Sequence, residues 1–225
     1  MEPRGALCLG LVAGVWTALA LAGCNDPTAD LDSDRAEEVI RALRACAQSG
    51  DEQVVDRVAS VVTHPDVMVA GEAVRTLGRL RNPKAVEVLK ELAAGARDKR
   101  SAVRVEAVTQ LGRRLEAREE VLPVLRQALK VDPDPRVRAA AATSIAKQRS
   151  LNDVALLVEV AENETDPVVQ ARAVGAVEQL VGLKFGYNPA APKAEREAAL
   201  RRMRRLATTA AAAMKRYLDR KARGG

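Results

Sequence analysis

Aromatic side chains are almost missing from this sequence: one Phe, one Trp and two Tyr in 225 residues. Histidine occurs once, as His64, and cysteine three times, as Cys8, Cys24 and Cys46. Each scarcity excludes something. The basic C-terminal segment has no aromatic interleaving beyond Tyr217, which argues against nucleic-acid binding there. A single His with so few Cys rules out a metal site built mainly from those ligands. A Ser-His-Asp arrangement would have to recruit His64, and no nucleophile-elbow motif accompanies it. No glycine-rich stretch has the spacing of a phosphate loop. No cofactor and no enzymatic activity are expected.

Ala, Val and Leu are plentiful, and they recur. Val69, Val103, Val137 and Val169 open a column. Four residues on stand Ala73, Ala107, Ala141 and Ala173, and eight on stand Leu77, Leu111, Ile145 and Val177. The offsets of 34, 34 and 32 mark a repeat architecture, in which each unit is one supersecondary element stacked on the next. The i, i+4, i+8 spacing places each set on one stripe of a helix. No stretch alternates with the period of a strand.

Helix starts punctuate the repeat. Asp134-Pro135 and Asp166-Pro167 put a capping carboxylate before a proline at the first helical position. His64-Pro65-Asp66 is a variant, and His64 reads as a capping or exposed residue. Before Ser101 the proline is gone, leaving Asp98 or Ser101 as the cap. Asn82-Pro83 begins a second helix, Ser150 with Asp153 suggests a capping box, and Asp51 caps an upstream partner. Gly78 and Gly112 read as helix-end or packing positions. Stepping back one period reaches Arg35 and Leu43, so a degenerate unit opens near Asp34. About five helix pairs result.

The stretch 134–142, Asp-Pro-Arg-Val-Arg-Ala-Ala-Ala-Ala, followed by Asn152-Asp-Val-Ala-Leu-Leu-Val158, closely resembles the HEAT repeat. It is nearest the short subtype also found in phycobilisome lyase-like proteins. The resemblance covers about 34–182. It implies an all-α, right-handed α-solenoid that binds other proteins. Tetratricopeptide and ankyrin repeats are rejected because their signature residues are missing. Deoxyhypusine hydroxylases on the same repeat hold iron with several His-Glu pairs, and this chain has none.

HEAT-like solenoids line a concave face with the second helix of each pair. The matching solvent columns here are Asp56, Lys90, Arg126 and Val158, then Arg57, Glu91, Gln127 and Glu159. Their mixed signs suit a protein partner better than a polyanion.

The amino terminus points to a compartment. Residues 5–23 carry no charge and end Leu21-Ala22-Gly23, directly before Cys24. An apolar core closing on small residues reads as a secretory signal. Leu-Ala-Gly-Cys also resembles the lipobox of bacterial lipoproteins. That resemblance implies cleavage after Gly23 and lipidation of Cys24, giving an exported chain held on the bacterial cell membrane. The alternative is an uncleaved segment just long enough to span a bilayer. Residues 24–33 read as a polar tether. Once Cys8 is removed and Cys24 lipidated, Cys46 is a lone thiol, either a small buried residue or an intermolecular disulfide partner.

Charge is uneven. Residues 25–192 carry 24 Lys and Arg against 26 Asp and Glu, whereas 193–225 carry 11 against 3. The tail therefore reads as a basic amphipathic helix with an apolar stripe at Met203, Leu206, Ala210, Met214 and Tyr217. It caps the array or grips anionic lipid through Arg201, Arg202, Arg204, Arg205, Lys215 and Arg216. Nucleic acid is not expected. The loop 183–192 carries Phe185 and Tyr187, which either close the end of the array or form an exposed aromatic patch.

Overall fold

The computed structural model describes residues 26–49 and 51–223. Residues 1–23, the expected signal, and Cys24 lie outside the described residues. Ten α-helices follow one another: α1 (Ala36–Cys46), α2 (Glu52–Val61), α3 (Val67–Arg79), α4 (Pro83–Ala93), α5 (Ser101–Leu111), α6 (Arg118–Val131), α7 (Pro135–Lys147), α8 (Val154–Asn163), α9 (Pro167–Val181) and α10 (Lys193–Arg223). No strand occurs among the described residues.

The caps work as their residue types demand. Asp66 accepts from the Met68 N–H at 2.7 Å, Asn82 from Lys84 at 2.9 Å, Asp134 from Arg136 at 2.8 Å and Asp166 from Val168 at 2.8 Å. Asp51 does the same for Gln53 at 2.8 Å. At α5 neither expected residue is the cap: Arg100 holds that position without a side-chain cap bond, and Asp98 accepts from the Arg100 N–H at 2.8 Å. His64 helps similarly, its Nδ1 accepting from the Asp66 N–H at 3.0 Å. The capping box expected at Ser150 and Asp153 does not form. Asp153 is buried and turned instead to Arg126, whose Nε lies 2.6 Å away.

The helices pair into units and the units stack. The odd-numbered helices α1 to α9 pack one on the next in an unbroken row. The even-numbered helices form a looser second row, whose neighbours α2, α4 and α6 touch more lightly. The recurrent columns sit between the rows: Ala73, Ala107, Ala141 and Ala173 are fully buried, with Leu77, Leu111, Ile145 and Val177. At about 25 cal/mol per Å² of apolar surface, this one continuous core is the main stabilising term. Small residues let the rows approach. A Cβ on Gly112 would stand 2.5 Å from the Ser144 Cβ and 2.9 Å from its Cα, so α5 and α7 touch there.

Both ends are closed. Residues 26–33, expected as a free tether, fold against α1 and α2. Leu31 is buried there, the Cys46 thiol donates to the Pro27 carbonyl at 3.3 Å, and Arg57 reaches Asp32 at 2.7 Å. One leucine in a polar run supplies the anchor. Cys46 is itself fully buried, and burial pushes its thiol above the usual range. At the other end Phe185 is buried, and the Tyr187 hydroxyl donates to Gln170. Helix α10 then packs on α8 and α9 as the last member of the second row.

The stripe expected on α10 needs correcting. Ala199, Leu200, Met203, Ala207 and Ala211 are the buried residues, while Leu206, Met214 and Tyr217 are exposed. All lie on one broad helix face. The helix is 31 residues long and outruns the solenoid beneath it, so its last turns keep their apolar side uncovered.

Candidate functional site

The second-helix columns face outward together, but most of their charges are answered within the chain. Asp56 meets Lys84 at 2.8 Å, and Arg57 is held by Asp32. Lys90 reaches Glu87 at 2.8 Å and Glu120 at 3.8 Å, and Glu91 pairs with Arg97. The Glu87 hydrogen bond raises the Lys90 ammonium above its ordinary value. Arg126 grips Asp153 through two nitrogens, at 2.6 and 3.1 Å. Val158 is buried. Gln127 and Glu159 are exposed, and Glu159 makes no ion pair among the described residues.

The first-helix row has a different outer surface. Gly71, Val105, Ala140, Ala171 and Gly175 stand at its outward positions, with Thr109 and Thr143 between them. All but Gly175 are half-buried, and Val105 and Ala140 pack against the core. At one edge, three guanidiniums converge on the buried Glu72: Arg75 at 3.0 Å, Arg79 at 3.4 Å and Arg44 at 3.5 Å. Burial pushes this carboxyl up. The Arg75 hydrogen bond and the surrounding positive charge outweigh it and hold the group below its ordinary value.

A second set of polar columns ties helix to helix. Arg104 of α5 bonds Asp132 at 2.8 and 2.9 Å, and Arg138 of α7 bonds Glu164 at 2.9 and 3.0 Å. Each arginine reaches the acid that ends its own partner helix, Asp132 of α6 and Glu164 of α8. Deeper, Thr76 donates to the Leu43 carbonyl at 3.1 Å and Ser144 to the Val108 carbonyl at 3.0 Å. Arg114 and Gln148 close the ends of the preceding first helices, Arg114 on Leu80 at 2.7 Å and Gln148 on Leu111 at 3.1 Å. The sequence carried a signal for these residues, because Arg104 and Arg138 sit 34 apart, as do Asp98 and Asp132.

The basic tail is partly consumed by docking. Arg202 donates to the Phe185 carbonyl at 2.9 Å, Arg204 pairs with Glu162 of α8, and Lys215 donates to Asn152 at 2.9 Å. Arg201 stands 3.7 Å from Glu197 of its own helix. Arg205 and Arg216 are exposed and make no ion pair. Among the described residues no group of three or more His, Cys, Asp or Glu is placed to hold a metal ion. No described helix is long and apolar enough to cross a membrane.

A family model for HEAT repeats matches residues 28–100 and again 90–178. This chain belongs to the HEAT-repeat family. The matched residues span the four helix pairs α1–α8 and most of α9, and α10 lies beyond them. Among solved structures, it is similar to an engineered protein at 19% identity, covering 83% of this chain and 95% of that one, with a TM-score of 0.47. It is also similar to human deoxyhypusine hydroxylase in complex with glycerol, at 14% identity over 82% and 83% of the two chains, with a TM-score of 0.32. No curated protein matches the chain.

Proposed function

We propose that this HEAT-repeat chain is a lipid-anchored scaffold that binds another protein at the bacterial cell envelope. The observation that carries the scaffold reading is the unbroken first-helix row with its small-residue outer face. The second-helix columns have spent Asp56, Arg57, Lys90, Glu91 and Arg126 on contacts within the chain. We therefore assign partner binding to the first-helix face, around Val105, Ala140 and Thr143. The Leu21-Ala22-Gly23-Cys24 sequence supports the anchor, since a diacylated cysteine holds far more firmly than a single chain. The order at 26–33 draws the repeat array close to that anchor. The reading includes no catalytic step and no cofactor.

The experiment is site-specific photo-crosslinking in native membranes, with the crosslinker at Thr143 or at Gln127. A discrete adduct formed from Thr143 alone supports the first-helix face. An adduct formed from Gln127 alone returns the site to the second helices.

A second reading rests on α10. Beyond Ala211 every described residue is exposed, so Met214, Tyr217 and Leu218 stand in solvent beside Lys215, Arg216, Arg220 and Lys221. An apolar face rimmed by cations suits the interface of an anionic bilayer. Loss of salt-sensitive binding to phosphatidylglycerol vesicles on removal of residues 212–225 supports it. Unchanged vesicle binding sinks it.

A further inference from the structure

We propose that a cleft between the α3–α4 and α5–α6 turns is a binding site for an acidic peptide segment of a partner protein. The cleft has a volume of about 660 Å³ and lies on the edge of the solenoid where each first helix ends. Such a volume falls in the range of small-ligand clefts, about 300–1,000 Å³. Arg79, Arg81, Arg113 and Arg114 line it, against Glu116 and Glu120.

The four arginines do different work. Arg114 is buried and fixed, donating to the Gly78 and Leu80 carbonyls at 3.2 and 2.7 Å, with Glu116 at 2.6 Å from its Nε. Arg79 leans toward Glu72. Arg81 and Arg113 are exposed and make no ion pair among the described residues, and Arg113 makes only a long 3.5 Å side-chain contact there, to Gln110. Two guanidiniums of neighbouring units thus face one cleft with their donors unspent. A planar guanidinium takes a carboxylate through two parallel hydrogen bonds, which a lysine would not.

The rest of the lining selects a peptide. Pro83 and Val86 offer an apolar wall. Glu116 is engaged by Arg114 and Glu120 stands 3.8 Å from Lys90, so the unanswered charge of the cleft is that of Arg81 and Arg113. The cationic lining is also confined to one cleft, too short for the run of phosphate contacts that nucleic-acid binding requires. The site adjoins the C-terminal ends of α3 and α5, at the edge of the first-helix face, and the inference stands without the lipid anchor.

The test is fluorescence anisotropy with a labelled peptide of alternating Glu and Ala, beside its Gln–Ala counterpart. The chain is the full repeat protein, and thermal melting checks each variant's fold. The acidic peptide is expected to bind and the Gln peptide not. R81E/R113E is expected to weaken binding at least about tenfold, while R172E, an equally exposed arginine on α9, changes it by less than about twofold. Equal binding of the two peptides, an equal loss in R172E, or displacement of the peptide by inorganic phosphate at the same concentration would each overturn the proposal. Absence of any peptide binding does so too. Loss of the Thr143 crosslink with peptide binding intact would instead tell against the first-helix face alone.

Discussion

Arg138 on α7 and Glu164 at the entry to α9 form a two-point bridge, with N···O distances of 2.9 and 3.0 Å and side chains 18% and 10% exposed. Arg104 and Asp132 repeat it one unit earlier, at 11% and 7% exposure. Asp132 ends α6 and Glu164 ends α8, so each bridge ties a first helix to the far end of its own partner helix, at the junction from which the next HEAT unit starts.

Breaking one partner of such a pair leaves a mostly buried charge without an answer. Arg104→Ala or Asp132→Ala is expected to lower stability by about 3 kcal/mol. R104M/D132N is expected to lose less than the sum of its singles, because the orphaned charge is gone. Urea unfolding followed by circular dichroism measures this. Single variants within about 0.5 kcal/mol of the parent contradict it.

Acid should loosen the same joint. Burial pushes the Glu164 carboxyl up, but the Arg138 hydrogen bond and the N–H groups of Asp166 and Thr165 outweigh it and hold the group below its ordinary 4.5. A depressed folded value means that the contribution is present above pH 4.5 and is lost as pH falls through the folded value. Glu72, held down by its three arginines, adds to the trend in the same direction. Urea midpoints taken from pH 7 downward should be flat until the carboxylate range and then fall. Glu164→Gln should start lower at pH 7 and fall less steeply. Parallel curves for the two proteins rule out this assignment.

Size changes at the helix contacts should sort by the space available. Gly112→Ala drives a methyl into the Ser144 backbone and is expected to cost about 1–3 kcal/mol. Ala107→Leu and Ala141→Leu, both fully buried, should cost a similar amount. Gly175→Ala meets nothing within 4 Å inside α9 and should stabilise by roughly 0.5–1 kcal/mol. Melting temperatures that do not separate these variants would mean that the columns do not pack as described.

The two halves of α10 should respond oppositely to damage. Met203→Ala is expected to cost about 2–5 kcal/mol, since Met203 is fully buried against the last HEAT units. Deletion from Met214 onward removes, among the described residues, only exposed side chains and should leave the melting temperature nearly unchanged. A large loss on truncation would show that the overhang is part of the folded core.

The apolar columns and the cap residues were enough to read the fold from the sequence. Asp134-Pro135, Asp166-Pro167 and Asn82-Pro83 each begin a helix where the motif places one. The bridges were harder to see, because Arg104 and Asp132 are 28 residues apart and only the pairing of α5 with α6 brings them together. Reading polar columns at the same period would have aligned them. The seating of Leu31 was obscured by its acidic neighbours, which look like tether. The stripe on α10 was correctly periodic, but periodicity cannot tell how far the solenoid runs beneath a long helix. The same gap hid the cleft at Arg81 and Arg113, which belongs to two separate turns.

The central claim is a membrane-sited protein scaffold whose first-helix face binds its partner. The most direct measurement is photo-crosslinking from Thr143 in native membranes, with the intact chain beside Cys24→Ala and with the Gln127 position as the opposite-face control. The account predicts one discrete envelope protein, crosslinked from Thr143 and not from Gln127, and lost when Cys24 is replaced. Crosslinks only to lipid and bulk protein, or the same adduct from both faces with and without Cys24, would contradict it.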